Sequence, residues 1–84
     1  MHLRQVGLTW HVAGDDVVVL DLDRSVYLKL NGSARLLWER LAASSTDGEL
    51  ADALVEQYGI DADRAAADVR RFLADLERRD LLVA

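Results

Sequence analysis

The stretch Val18-Val19-Leu20-Asp21-Leu22-Asp23-Arg24-Ser25-Val26-Tyr27-Leu28-Lys29-Leu30-Asn31 decides the fold. It holds two short apolar segments that alternate with period two, separated by the turn-like Asp23-Arg24-Ser25. Such segments read as half-buried strands joined by a tight connection, and therefore as antiparallel neighbours. In the earlier one Val18, Leu20 and Leu22 fall on one face, with Val19 and Asp21 opposite. In the later one Val26, Leu28 and Leu30 share a face, with Tyr27 and Lys29 opposite. At Asn31 the period changes from two to that of a helix.

Working outward, Leu8, Trp10 and Val12 alternate in the same way upstream, and Ala13-Gly14-Asp15-Asp16 supplies a second turn. Three strands, about 6–13, 17–22 and 26–30, are thus expected to form a meander. Downstream, Asn31 can cap a helix whose stripe is Ala34, Leu37, Trp38 and Leu41. Thr46-Asp47-Gly48-Glu49 is a capping box that opens a second helix, with Leu50, Leu54 and Tyr58 aligned and Gly59 as its stop. Asp61 caps a third, with Ala65, Val69, Phe72, Leu73 and Leu76 on its apolar face. The helices are expected at about 32–43, 47–58 and 62–79. The fold class is α+β, winged helix-turn-helix-like: a three-stranded antiparallel meander followed by three α-helices. Trp10, Trp38 and Tyr58 are expected to be core or partly core.

Composition narrows the function. Eighty-four residues at 51% hydrophobic suffice for one domain, residues 1–84, around one modest core. There is no cysteine, which removes disulfides and thiolate metal sites. No apolar run is longer than the four residues of Val17 to Leu20, far short of the roughly 20 residues that cross a bilayer. With no apolar stretch of signal-peptide length behind Met1-His2-Leu3-Arg4-Gln5, a cytoplasmic location and no membrane partner are expected.

No catalytic constellation is legible. The two histidines, His2 and His11, do not make a zinc set, and His11 alternates out of the first strand's apolar face. Asp21 and Asp23 share a strand face, but beside a turn such carboxylates read as solubilising. The glycines fit no phosphate-binding fingerprint. The expectation is a protein that is not an enzyme and takes no cofactor and no metal. Nucleic acid is not expected either. Residues 44–63 carry six acids and no base, which reads as a docking face or solvated surface. On the third helix, Arg64–Asp68, Arg71–Asp75 and Asp75–Arg79 fall at i,i+4 and read as a salt-bridged solvent face rather than a phosphate stripe.

The stretch quoted above, continued through Gly32-Ser33-Ala34-Arg35-Leu36-Leu37-Trp38-Glu39, resembles the PqqD-like family. The shared pattern is an apolar strand, an Asp-rich turn, an aromatic in the next strand, a Leu-Asn helix entry and an Ala…Trp-Glu helix. It extends over roughly residues 6–83. Family members often carry glycine near Ser25, where this chain departs from them.

The resemblance implies a RiPP recognition element, a module that binds the leader of a ribosomally synthesised precursor peptide. The leader would add as a strand to the third strand, Val26, Tyr27, Leu28, Lys29 and Leu30, over a groove lined by the third helix. Val69, Phe72 and Leu76 would accept apolar leader residues, and Asp68, Arg71, Asp75 or Arg79 would fix orientation at the rim. The implied partners are a leader peptidase and an ATP-dependent macrolactam synthetase in lasso-peptide biosynthesis. The alternatives are a peptide chaperone of the PQQ-biosynthesis type, with a radical enzyme as partner, and an acidic winged-helix regulatory or interaction domain. The residues themselves support the role: the third strand would be an edge, blunted on its outward side by Lys29 alone.

Overall fold

Register places the sheet. In the computed structural model, which describes residues 1–83, β2 (Leu8–Ala13), β3 (Asp16–Asp21) and β4 (Val26–Leu30) form an antiparallel sheet in the order β2-β3-β4. Ala13 pairs with Asp16 across a two-residue turn, and Gly14 takes φ 64, as a tight hairpin turn requires. That turn fixes every later pair: Trp10 with Val19, and Val12 with Val17. On the other side Val19 pairs with Leu28 and Val17 with Leu30. All of these side chains lie on the face that meets the helices.

This register corrects the reading of β3. The set Val18, Leu20 and Leu22 lies on the outer face or beyond the strand's end, and Leu22 is exposed. The buried residues are Val17, Val19 and Asp21, at 0%, 1% and 5% exposure. Val17 to Leu20 is apolar throughout, so alternation could not choose between its two faces. Cross-strand pairing with Trp10, Val12, Leu28 and Leu30 chose instead.

The helices are α1 (Gly32–Ala42), α2 (Asp47–Tyr58) and α3 (Ala62–Arg78). Thr46 and Glu49 form the expected capping box, Gly59 ends α2 at φ 66, and the Asp61 side chain caps α3 by accepting from the N–H of Arg64. Asn31 stands at the N-cap of α1, but its side chain makes no capping bond. Its carbonyl accepts from the N–H groups of Ala34 and Arg35.

Leu37, Trp38 and Leu41 of α1, Leu50 and Leu54 of α2, and Ala65, Val69, Leu73 and Leu76 of α3 meet Val17 and Val19 in one core. Trp38 is fully buried and takes Trp10 edge-on, with ring centroids 6.3 Å apart. Tyr58 is exposed, so the α2 stripe ends before it. Among the described residues no helix is long and apolar enough to cross a membrane.

A second ribbon joins the chain ends. β1 (His2–Leu3) pairs antiparallel with β5 (Leu82–Val83). The Arg4 N–H extends it by donating to the Leu81 carbonyl at 2.8 Å. Two-residue strands leave no alternation to read, which is why sequence periodicity does not reveal them.

Candidate functional site

β4 is an edge, and the direction of its free backbone groups follows from one bond. The Leu22 N–H donates to the Gly7 carbonyl at 2.8 Å, one step beyond the Leu8–Asp21 pair. Backbone groups in antiparallel strands alternate sides. Leu22, Leu20, Val18 and Asp16 therefore bond toward β2, and Asp21, Val19 and Val17 bond toward β4. Their partners Val26, Leu28 and Leu30 bond back. Tyr27 and Lys29 are left with N–H and C=O groups directed away from the sheet.

An edge lysine ordinarily blunts such a strand. Here the Lys29 ammonium pairs with the Asp16 carboxylate at 3.3 Å. Asp16 is on β3, so the charge is drawn inward across the sheet. Tyr27 stands on the outer face, largely exposed.

Beneath the inner face of β4 lies a cavity of about 200 Å³. Val19, Val26 and Leu28 form its sheet wall, and Leu81 and Arg79 the wall at the end of α3. Asp21 and Arg24 stand at the β3–β4 turn. In that turn Ser25 takes φ 55, the left-handed region that favours glycine.

Asp21 is a buried anchor, contrary to its reading as a solubilising residue. Its Oδ1 accepts from Arg4 Nη2 at 2.6 Å and from the N–H groups of Asp23 and Arg24 at 3.2 and 3.3 Å. Burial by itself raises the Asp21 pKa, but the hydrogen bond from Arg4, the backbone donors and the Arg4 charge together hold it below the usual carboxylate range. Asp75 behaves alike: burial pushes it up, and hydrogen bonds from Arg79 and Arg78 bring it below its ordinary value. The Asp75 bond to Arg79 Nε, at 3.1 Å, holds that guanidinium at the cavity wall.

The structure thus brings Val26, Leu28 and Arg79 together, with Asp75 behind Arg79. Leu30 packs against the core at the far end of β4 and is not part of the cavity lining. Phe72 is half-buried against the core. Val69 and Leu76, at 1% exposure each, fasten α3 to the core and do not line this cavity. Asp68 lies near the other end of α3, in a separate depression with Tyr58, Ile60 and Arg64. It pairs with Arg64 and with Arg71, so the expected Arg71–Asp75 pair gives way to Arg71–Asp68, and Asp75 takes Arg78 and Arg79. Sequence reading missed Val19, Asp21, Arg24 and Leu81. The available signal was Asp21, a charge between Leu20 and Leu22 in an otherwise apolar strand.

Chemically the site offers two outward backbone positions, an aliphatic cup beside them and guanidinium groups at the rim. That suits an extended peptide, with backbone bonding to the edge and a side chain in the cup. Among the described residues no cluster of His, Cys, Asp and Glu is arranged to hold a metal ion.

The family described as coenzyme PQQ synthesis protein D (PqqD) matches residues 16–82. No curated relative matches the sequence. Among solved structures, TbiB1 in complex with the TbiA(beta) leader peptide is 27% identical, with a TM-score of 0.90 over 98% of this chain and 94% of that one. A lasso peptide synthetase B1 complexed with the leader peptide is 22% identical, with a TM-score of 0.86 over 99% of this chain and 96% of that one. At the latter identity the likeness speaks to the fold.

Proposed function

The chain belongs to the PqqD family, and from that premise we propose that it binds the leader segment of a ribosomally made precursor peptide as a strand added to β4 and hands the peptide to processing enzymes. The observation that carries this reading is the juxtaposition at β4. Tyr27 and Lys29 direct unpaired backbone groups outward, and the cavity walled by Val26, Leu28, Leu81 and Arg79 opens beside them. Backbone pairing supplies affinity that tolerates many sequences, and the cavity supplies choice among them. Likeness to TbiB1, whose structure holds a leader peptide, supports the same occupant here.

The processing partners we propose are a leader peptidase and an ATP-dependent macrolactam synthetase of a lasso-peptide pathway, acting in the cytoplasm. In this role the chain grips and presents and does no chemistry of its own. The one-signed acidic surface of α2, with Asp47, Glu49, Asp52 and Glu56, argues against phosphate binding and leaves the winged-helix outline without a nucleic-acid role.

The test is a titration of the purified chain with synthetic leaders of precursor peptides encoded beside it, followed by fluorescence anisotropy. Saturable binding is expected, with the full precursor unchanged in mass after incubation with this chain alone. No binding to any such leader would overturn the reading. Cleavage or dehydration of the precursor without another protein would overturn the purely presenting role.

A further inference from the structure

Resting on that reading of the groove, we propose that Arg4 is a positioning residue for peptide binding, tying the two walls of the cavity together from the N-terminal segment. Arg4 lies upstream of residues 16–82, the part of the chain that the family pattern covers. Its side chain nevertheless reaches both sides of the cavity. Nη2 donates to Asp21 Oδ1 at 2.6 Å, on the sheet side. Nη1 donates to the Asp80 carbonyl at 3.1 Å, on the side of α3 and β5. Asp80 sits between Arg79 and Leu81, the two residues that form that wall. The backbone N–H of Arg4 holds the Leu81 carbonyl as well.

The surroundings indicate a fixed bridge rather than a loose surface pair. The Arg4 side chain is 19% exposed, and its Nε is buried with no partner among the described residues. Asp80, at φ 59, is a non-glycine residue in the left-handed region. That conformation belongs to the Schellman cap of α3, in which the Asp80 N–H donates to the Glu77 carbonyl and the Leu81 N–H to the Leu76 carbonyl, and it turns the Asp80 carbonyl toward Arg4 and leaves its carboxylate to Arg24, at 3.2 Å. With one arm on Asp21 and the other on the Asp80 carbonyl, Arg4 fixes how Arg79 and Leu81 stand against Val26 and Leu28. A guanidinium is suited to this because its planar fork presents two donors at once, which a lysine ammonium on a flexible stem does not.

The probe is the tightest binder from a random library of short peptides displayed against the parent chain, together with an alanine scan of that peptide. Arg4→Lys keeps a cation beside Asp21 and removes the two-armed bridge. Its expected result is a folded protein whose Kd for the probe rises about tenfold. The loss should disappear for the one peptide variant whose cavity-filling side chain is already alanine, and persist for variants altered elsewhere. A Kd equal to the parent's, or a loss of the same size for every peptide variant, would overturn the proposal. Should Arg4→Lys not fold, Arg4→Gln combined with Asp21→Asn carries the same cycle and leaves no buried unpaired charge. If neither folds, Arg4 belongs to the fold rather than to the groove, and the proposal fails. If no displayed peptide binds the parent chain, it is the peptide-binding reading itself that falls.

Discussion

The sheet has two edges, and they are unequal. β2 turns the backbone groups of Leu8, Trp10 and Val12 outward, and β4 those of Tyr27 and Lys29, by the same alternation. β2 carries no lysine, arginine, carboxylate or proline, so by the usual rules for edge strands it is the less protected of the two. Yet the indole of Trp10 is committed to Trp38, and the depression beside β2 is shared with Leu3, Arg4, Gln5, Leu8 and Ala42. Beside β4 stands the aliphatic cup with Arg24 and Arg79 at its rim. Open hydrogen-bonding groups make a strand available, and a side-chain cavity next to them makes it selective.

Proline substitution breaks this comparison most severely. Leu28→Pro removes a ladder bond to Val19 and the half-buried contacts of Leu28, a loss on the order of 3 kcal/mol, a large share of the stability of a domain this small. Circular dichroism melts should show Tm lowered by about 12 °C or more. Tyr27→Pro and Lys29→Pro lie on the outward parity, where an edge tolerates proline, so the fold should persist. Leader affinity should fall about tenfold or more, about 1.4 kcal/mol. Val12→Pro, on the outward parity of β2, should leave both fold and leader affinity unchanged. Equal losses from Val12→Pro and Tyr27→Pro would erase the distinction between the edges.

A smaller effect sharpens the comparison through pH. The Asp21 carboxyl is held below its ordinary value in the folded chain. Its contribution to stability is therefore complete above the unfolded value, about 3.9, and is lost as pH falls through the lower folded value. Asp75 and Glu49 shift in the same direction. Melting temperature should be level from neutral pH down to about 5 and then fall. Asp21→Asn should start lower and fall less steeply. A parent-like acid slope in that variant would remove Asp21 as the anchor of the β3–β4 turn.

The smallest effect belongs to the side of the molecule away from the comparison. Asp52 and Glu56 are exposed on α2 and line neither edge. Reversing both to lysine should change leader affinity less than twofold, under about 0.4 kcal/mol. A tenfold loss with the fold intact would move the groove toward α2. Loss of precursor processing with leader affinity unchanged would instead mark α2 as the face that docks a processing enzyme.

The meander and the helix caps were legible because turn chemistry and period are local. Gly14, Thr46, Glu49, Gly59 and Asp61 act within a few residues of themselves. The buried face of β3 was not legible, because Val17 to Leu20 offers apolar side chains to both faces and only pairing with β2 and β4 decides. Of the candidate site, the edge strand was legible from the meander order, and Arg79 from its place on the third helix. Asp21, Arg24 and Leu81 were not, since their links are long-range: Arg4 reaches Asp21 over 17 residues and Asp80 over 76, and Arg24 reaches Asp80 over 56. Val69 and Leu76 lie in the core away from the β4 cavity, and a wide apolar stripe on a helix does not say where the core ends and a groove begins.

The central claim is that a leader pairs with β4 through Tyr27 and Lys29, and amide hydrogen exchange followed by NMR tests it residue by residue. In the free chain the amides of Tyr27 and Lys29 should exchange rapidly while those of Val26, Leu28 and Leu30 are protected. With saturating leader, Tyr27 and Lys29 should become protected by about tenfold or more, and Leu8, Trp10 and Val12 should not change. Rapid exchange at Tyr27 and Lys29 in the saturated complex would contradict strand addition at this edge, and new protection on β2 would place the leader on the other one.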